Sequence, residues 1–183
     1  MNDYQGITNE DSPKHGGSYI AQYKSGAEVY NFKPFNGIMY GFVEAGWEPK
    51  PRCINITNLG ASKQAQSVED VLVVWVARHS CKRQTLVVGW YRNARVYRAS
   101  QEAPPDSPRK LPNGTDAEYF ATADKNDCVL VPPSLRICEI PRTEKGKGGL
   151  GQKNIWYAKD ELGLETKLRV LEYIRNYEKQ NKR

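Results

Sequence analysis

The sequence predicts an α+β, mainly β fold: a curled, mostly antiparallel sheet or small β-barrel flanked by helices, with a C-terminal amphipathic helix. Three observations lead there. Runs rich in β-branched and aromatic residues recur along the chain, most of them of strand rather than helix length. Asn-Gly, Pro-Pro and Asp-rich segments that suit turns lie between them. A long apolar stripe at helical spacing occurs at the C-terminal end.

In chain order, residues 1–15 read as a loosely ordered polar segment and residues 16–183 as a single domain that begins with Gly16-Gly17-Ser18-Tyr19. Strands are expected at 26–32 and 38–45, joined through Pro34-Phe35-Asn36-Gly37, whose Asn-Gly pair signals a tight hairpin turn. A proline-rich segment, 47–52, leads to a candidate short strand at 53–56, and 60–66 is polar, a loop or short helix. Runs 71–77 and 85–91 are strands separated by the polar loop His79-Ser80-Cys81-Lys82-Arg83-Gln84. Both are apolar on both faces, so both sides are expected to be covered, with Trp75 in the core.

At Trp90 the chemistry changes. Trp90, Tyr91 and Tyr97 interleave with Arg92, Arg95 and Arg98 about an Asn93-Ala94 turn. Flat rings can stack on bases and guanidinium groups can grip phosphates. An ordinary strand with arginines snorkelling over core aromatics is the other reading.

Residues 103–114 are rich in Pro and Asp and read as a surface excursion. Strands follow at 119–123 and 128–131 about an Asp124-Lys125-Asn126-Asp127 turn, and 137–140 adds one more. The segment 142–153, RTEKGKGGLGQK, combines Gly146, Gly148, Gly149 and Gly151, which let backbone approach a ligand, with Arg142, Lys145, Lys147 and Lys153. A mobile basic loop is the alternative. No Gly-Lys-Ser/Thr follows, so it is not a P-loop; a strand-like run, 154–157, does. The closing helix is expected at 160–179, with Leu164, Leu168, Leu171, Ile174 and Tyr177 docked on the sheet.

Composition narrows the function. The 183 residues carry a net charge of +6, and the mean hydropathy is −0.71. No apolar run reaches membrane-spanning length, and the acidic N-terminus does not read as a signal peptide, so a cytoplasmic location without membrane contact is expected. The charge is uneven: through Tyr91, nine Lys/Arg oppose eight Asp/Glu, and from Arg92 onward eighteen oppose thirteen. A polyanionic partner fits this excess. Cys53, Cys81, Cys128 and Cys138 contain no CxxC pair, and His79 with Cys81 is the one close His/Cys pairing, so no metal site is expected. Asp116, Glu118, Asp124 and Asp127 show no recognisable ligand spacing for a metal-dependent nuclease.

GGSY at 16–19, EVYNF at 28–32, VVGWYRNARVYR at 87–98 and GLGQKNIWYA at 149–158 together resemble a domain of McrA-like HNH modification-dependent restriction endonucleases. That domain is PUA-like, related to SRA, EVE and YTH modules. The resemblance covers nearly the whole chain. It implies recognition of duplex DNA carrying a modified base, methylated or hydroxymethylated, with the base flipped into a pocket. No HNH constellation is present, since His15 and His79 are isolated. The chain is therefore expected to bind without cutting, needing no cofactor, alongside a nuclease domain or subunit.

On that reading the base pocket draws on Trp47, Trp90, Tyr91 and Tyr30 as walls and Asn31, Asn93 and Asp124 as edge partners. The DNA backbone is held by Arg92, Arg95, Arg98, Lys145, Lys147, Gln152 and Lys153. Rival expectations are an RNA-binding module of the same fold group, a nucleic-acid-processing enzyme (glycosylase or nuclease), and a subunit that binds an acidic protein.

Overall fold

The computed structural model describes residues 26–46, 52–79, 84–143, 147–151 and 154–181. Among them the fold is mainly an antiparallel β-sheet followed by one long helix. The elements are β1 (Ile38–Gly41), β2 (Ser67–Arg78), β3 (Thr85–Gln101), β4 (Tyr119–Asp124), β5 (Cys128–Leu130) and α1 (Glu161–Asn181). The sheet order is β1-β4-β3-β2, with β5 also paired to β3. The described residues pack as two compact units: one holds those up to Val74 together with Gly89–Leu130, the other those of Trp75–Val88 and those from Val131 onward.

In the first unit, Phe35 and Ile38 exchange backbone hydrogen bonds of 2.9 and 3.0 Å around Asn36 (φ 49°) and Gly37 (φ 80°), the type I′ geometry that Asn-Gly favours. The segment before it is not the expected strand but a 3-10 turn, Ala27–Tyr30. Asn31 explains the difference. Its side chain donates to the Phe42 carbonyl at 3.0 Å and accepts from the Phe42 N–H at 2.7 Å, doing the work of a strand partner while the local backbone coils. Ala27, Val29 and Phe32 are thereby buried. The candidate strand at 53–56 reduces to a single bridge, Cys53 to Ala99, before a 3-10 turn at Ile56–Leu59.

β3 is longer than its apolar run predicts. It continues through Asn93-Ala94 to Gln101, so the expected turn there is absent; Asn93 takes φ 49° within the strand. β4 and β5 pair in succession with β3: Arg95 faces Thr122 and Tyr91 faces Cys128, with a 3-10 turn, Lys125–Asp127, between. β2 also departs from expectation. It ends the sheet order among the described residues, and Val71 to Val74 are only half-buried.

In the second unit Trp75 is buried, as are Leu86, Val87 and Val88. Residues 137–140 form one bridge, Glu139 to Leu86, rather than a strand, and the Val87 N–H donates to Cys138 O at 2.9 Å. The run 154–157 is also irregular. Helix α1 forms where its period predicts, but of the expected stripe only Ile174 is buried: Gly163, Thr166 and Val170 complete the docked face, Leu171 and Tyr177 are half-buried, and Leu164 and Leu168 are exposed. Gly163 is the reason. A Cβ there would lie 2.7 Å from the Trp156 ring, so the small-residue face admits the preceding loop.

Candidate nucleic-acid interface

The outward face of β3 carries Asn93, Arg95 and Tyr97, because Ala94 and Val96 alternate with them into the core. Tyr97 meets Tyr119 of β4 edge-to-face at 5.8 Å, and Tyr119 meets Tyr40 of β1 likewise at 5.0 Å. Sheet order alone places these three rings side by side, since β3, β4 and β1 are consecutive neighbours. The row continues through Arg109, whose guanidinium carbon lies 5.7 Å from the Tyr40 ring centre and 5.2 Å from that of Tyr30. Lys33 covers Tyr30 at 5.3 Å. Such cation–ring contacts are favourable because the ring face is electronegative.

Arg109 comes from the Pro-rich excursion but is only 1% exposed. Its donors reach the carbonyls of Tyr40 (2.9 Å), Glu118 (3.0 Å), Ala117 (3.2 Å) and Tyr30 (3.4 Å). Burial lowers its pKa to about 10, which leaves it charged at neutral pH. It is a buried cation beneath half-exposed rings. Burial also raises the pKa of the Tyr40 and Tyr119 phenols, so both remain proton donors at neutral pH. Tyr30 donates to the Lys110 carbonyl at 2.6 Å, which fixes its ring.

The arginines of β3 have different employment. Arg95 is exposed and pairs with Glu69, and its pKa is raised by hydrogen bonds to Tyr97 and Glu69. Arg98 donates to Ala65 O at 2.8 Å and Ser62 O at 3.1 Å, holding a loop. Arg92 is half-buried.

Several expected pocket residues are structural. Trp90 and Tyr91 are wholly buried, and Tyr91 packs edge-to-face on Phe32 at 5.6 Å. With no exposed ring face they belong to the core, a correction to their expected role as walls. Asn31 is also wholly buried, with its amide committed to Phe42, so it cannot read a base edge. Asp124 is exposed and accepts from the Asn126 N–H at 2.8 Å, and Asn93 donates to Asp127 at 3.1 Å. Tyr30 alone among the expected walls lies in the tyrosine row; Trp47 is outside the described residues. Tyr40, Tyr119 and Arg109 come from separate segments, and no local motif in the sequence marks them.

Gly148 and Gly149 of the basic loop serve close packing within the second unit. A Cβ on Gly149 would sit 2.1 Å from the Pro141 carbonyl oxygen, and Leu150 exchanges backbone hydrogen bonds with Pro141 and Thr143. Gly148 donates to Asp160 at 2.6 Å, and its carbonyl accepts from Thr166 at 3.1 Å. Both of its backbone groups therefore face the helix rather than a ligand. Burial works to raise the Asp160 pKa, but hydrogen bonds from Gly148 and Trp156 outweigh it and hold the carboxyl below its usual range. Lys147 is exposed; Lys145, Gln152 and Lys153 lie outside the described residues.

His79 is half-buried, and its backbone N–H donates to the Gln84 carbonyl at 2.9 Å; Cys81 is not among the described residues. No group of three His, Cys, Asp or Glu side chains converges among the described residues. Asp116 pairs with Lys110. No described helix is long and apolar enough to cross a membrane. Comparison with known proteins returned no matching family model, no matching curated protein and no matching solved structure.

Proposed function

We propose that this chain is a non-catalytic reader of nucleic acid, and that its target is duplex DNA carrying a methylated or hydroxymethylated base turned out of the helix. In this reading it serves a modification-dependent restriction or defence system, with cleavage supplied by a separate nuclease domain or subunit. One observation carries the proposal: Tyr97, Tyr119, Tyr40 and Tyr30 form a half-exposed row interleaved with Arg95, Arg109 and Lys33. Extruding a base costs a few kcal/mol, and each stacked ring returns about 1–3 kcal/mol. Two rings therefore offset the extrusion. Protonated phenols add donors for base edges or phosphates, and the cations favour an anionic ligand.

A binding panel of otherwise identical duplexes with unmodified, 5-methyl-, 5-hydroxymethyl- and N6-methyl bases tests this, with single-stranded RNA as competitor. The expected result is preference for one modified duplex, reduced about tenfold or more by Tyr97→Ala, since one stacking contact of that size is lost. RNA outcompeting every duplex would reassign the row to RNA, and no binding at low salt would remove nucleic acid altogether.

A further inference from the structure

Helix α1 carries a second apolar face that the described residues of its own unit leave open. At about 100° per residue, Glu161, Leu164, Leu168, Leu171 and Arg175 fall within about 80° of one another, roughly 135° around from the buried stripe. Leu164 and Leu168 are 53% and 57% exposed, Leu171 is half-buried, and Glu161 and Arg175 are exposed. Neither Glu161 nor Arg175 has an ion-pair partner among the described residues. A leucine seam at helical spacing with charged ends is the pattern of a helix that packs against another helix.

Charge selects the partner. The seam is acidic at its first position and basic at its last, and Leu168 lies midway between them in sequence. An antiparallel two-fold axis at Leu168 sets Glu161 of each copy against Arg175 of the other and interleaves the leucines. A parallel, in-register pair would oppose like charges. We infer that a second copy of this chain docks on this face, antiparallel and centred on Leu168. The interface is isologous: Leu168 meets its own copy on the axis, and every other contact occurs twice.

The test is sedimentation equilibrium of the full chain across the micromolar range. Wild type is expected to dimerise. Leu168→Glu weakens dimerisation at least about 100-fold, since each buried leucine is worth roughly ten- to 100-fold and two are lost together. Its circular dichroism and melting profile stay those of the wild-type monomer, because the side chain is exposed. Glu161→Arg and Arg175→Glu each weaken the dimer, and the double variant recovers most of the loss. A wild type that stays monomeric throughout, a dimer indifferent to Leu168→Glu, or a double variant no better than the singles overturns the inference; the first outcome would leave the seam to a protein of different sequence.

Discussion

Replacing Arg109 with methionine removes the cation buried beneath the tyrosine row, while keeping a long flexible side chain in its place. Three carbonyls within 3.2 Å, those of Tyr40, Glu118 and Ala117, lose their donors. At about 2 kcal/mol for each acceptor left unpaired in the interior, the loss is about 6 kcal/mol. Against this stands the relief of a buried charge. The fall in pKa from 12.5 to about 10 corresponds to about 3 kcal/mol at neutral pH. The net destabilisation is about 3 kcal/mol, which lowers the melting temperature by about 6–12 °C in a chain of this length. Differential scanning calorimetry and urea unfolding at pH 7 read it directly. Arg109→Lys should recover less than half, since an ammonium cannot reproduce the planar fork that meets several carbonyls. An unchanged or raised melting temperature in Arg109→Met would refute the reasoning, because desolvation would then outweigh the hydrogen bonds.

Three further outcomes are expected. Glu69→Gln releases Arg95 for phosphate contact, so DNA binding tightens at low salt and the salt slope steepens by about 0.9, whereas adding Arg95→Ala to Glu69→Gln returns the slope to its wild-type value; titrations at several salt concentrations measure both. Asp160 has a folded pKa below its unfolded value near 3.9, so its stabilising contribution is present above that pH and disappears as pH falls through the folded value. Melting curves of wild type and Asp160→Asn should therefore differ at pH 6 and converge in strong acid. Cys128, with a pKa raised to about 12 by burial and by Asp127 and Asp124, should resist alkylation at pH 8, where about one thiol in ten thousand is ionised, while exposed Cys53 reacts; peptide mass spectrometry gives the order.

The parts of the fold governed by local chemistry were legible. Asn36-Gly37 makes the turn it predicts, β4 and β5 lie within one residue of the strands expected at 119–123 and 128–131, and α1 begins and ends within two residues of its period. The errors share a physical cause. Asn31 substitutes a side chain for a ladder, which composition cannot reveal, and so turns an expected strand into a 3-10 turn. An aromatic beside arginines reads alike whether the ring faces water or the core, and Trp90 and Tyr91 face the core. The tyrosine row depends on strand order, bringing together residues as distant as Tyr40 and Tyr119. Arg109 was the least legible: a charged residue in a Pro-rich excursion has every local reason to be exposed. Helix α1 shows that a period identifies apolar faces but not which one docks; Gly163 and Thr166 decided that by their small size.

The interruption between β4 and β5 obeys a parity rule. From the Tyr91–Cys128 pair to the Arg95–Thr122 pair, β3 has the three residues 92–94 and the opposing chain the five residues 123–127. The surplus is two, an even number, so inward and outward positions keep their sense across the break. Trp90, Ala94 and Val96 accordingly share a face with Val129, Ala123 and Ala121, as they would along one unbroken strand. A one-residue surplus would have turned one of the two short strands inside out. The 3-10 turn at Lys125–Asp127 thus takes up the surplus, so the two short strands present one continuous inner face to β3 although the chain between them leaves the sheet.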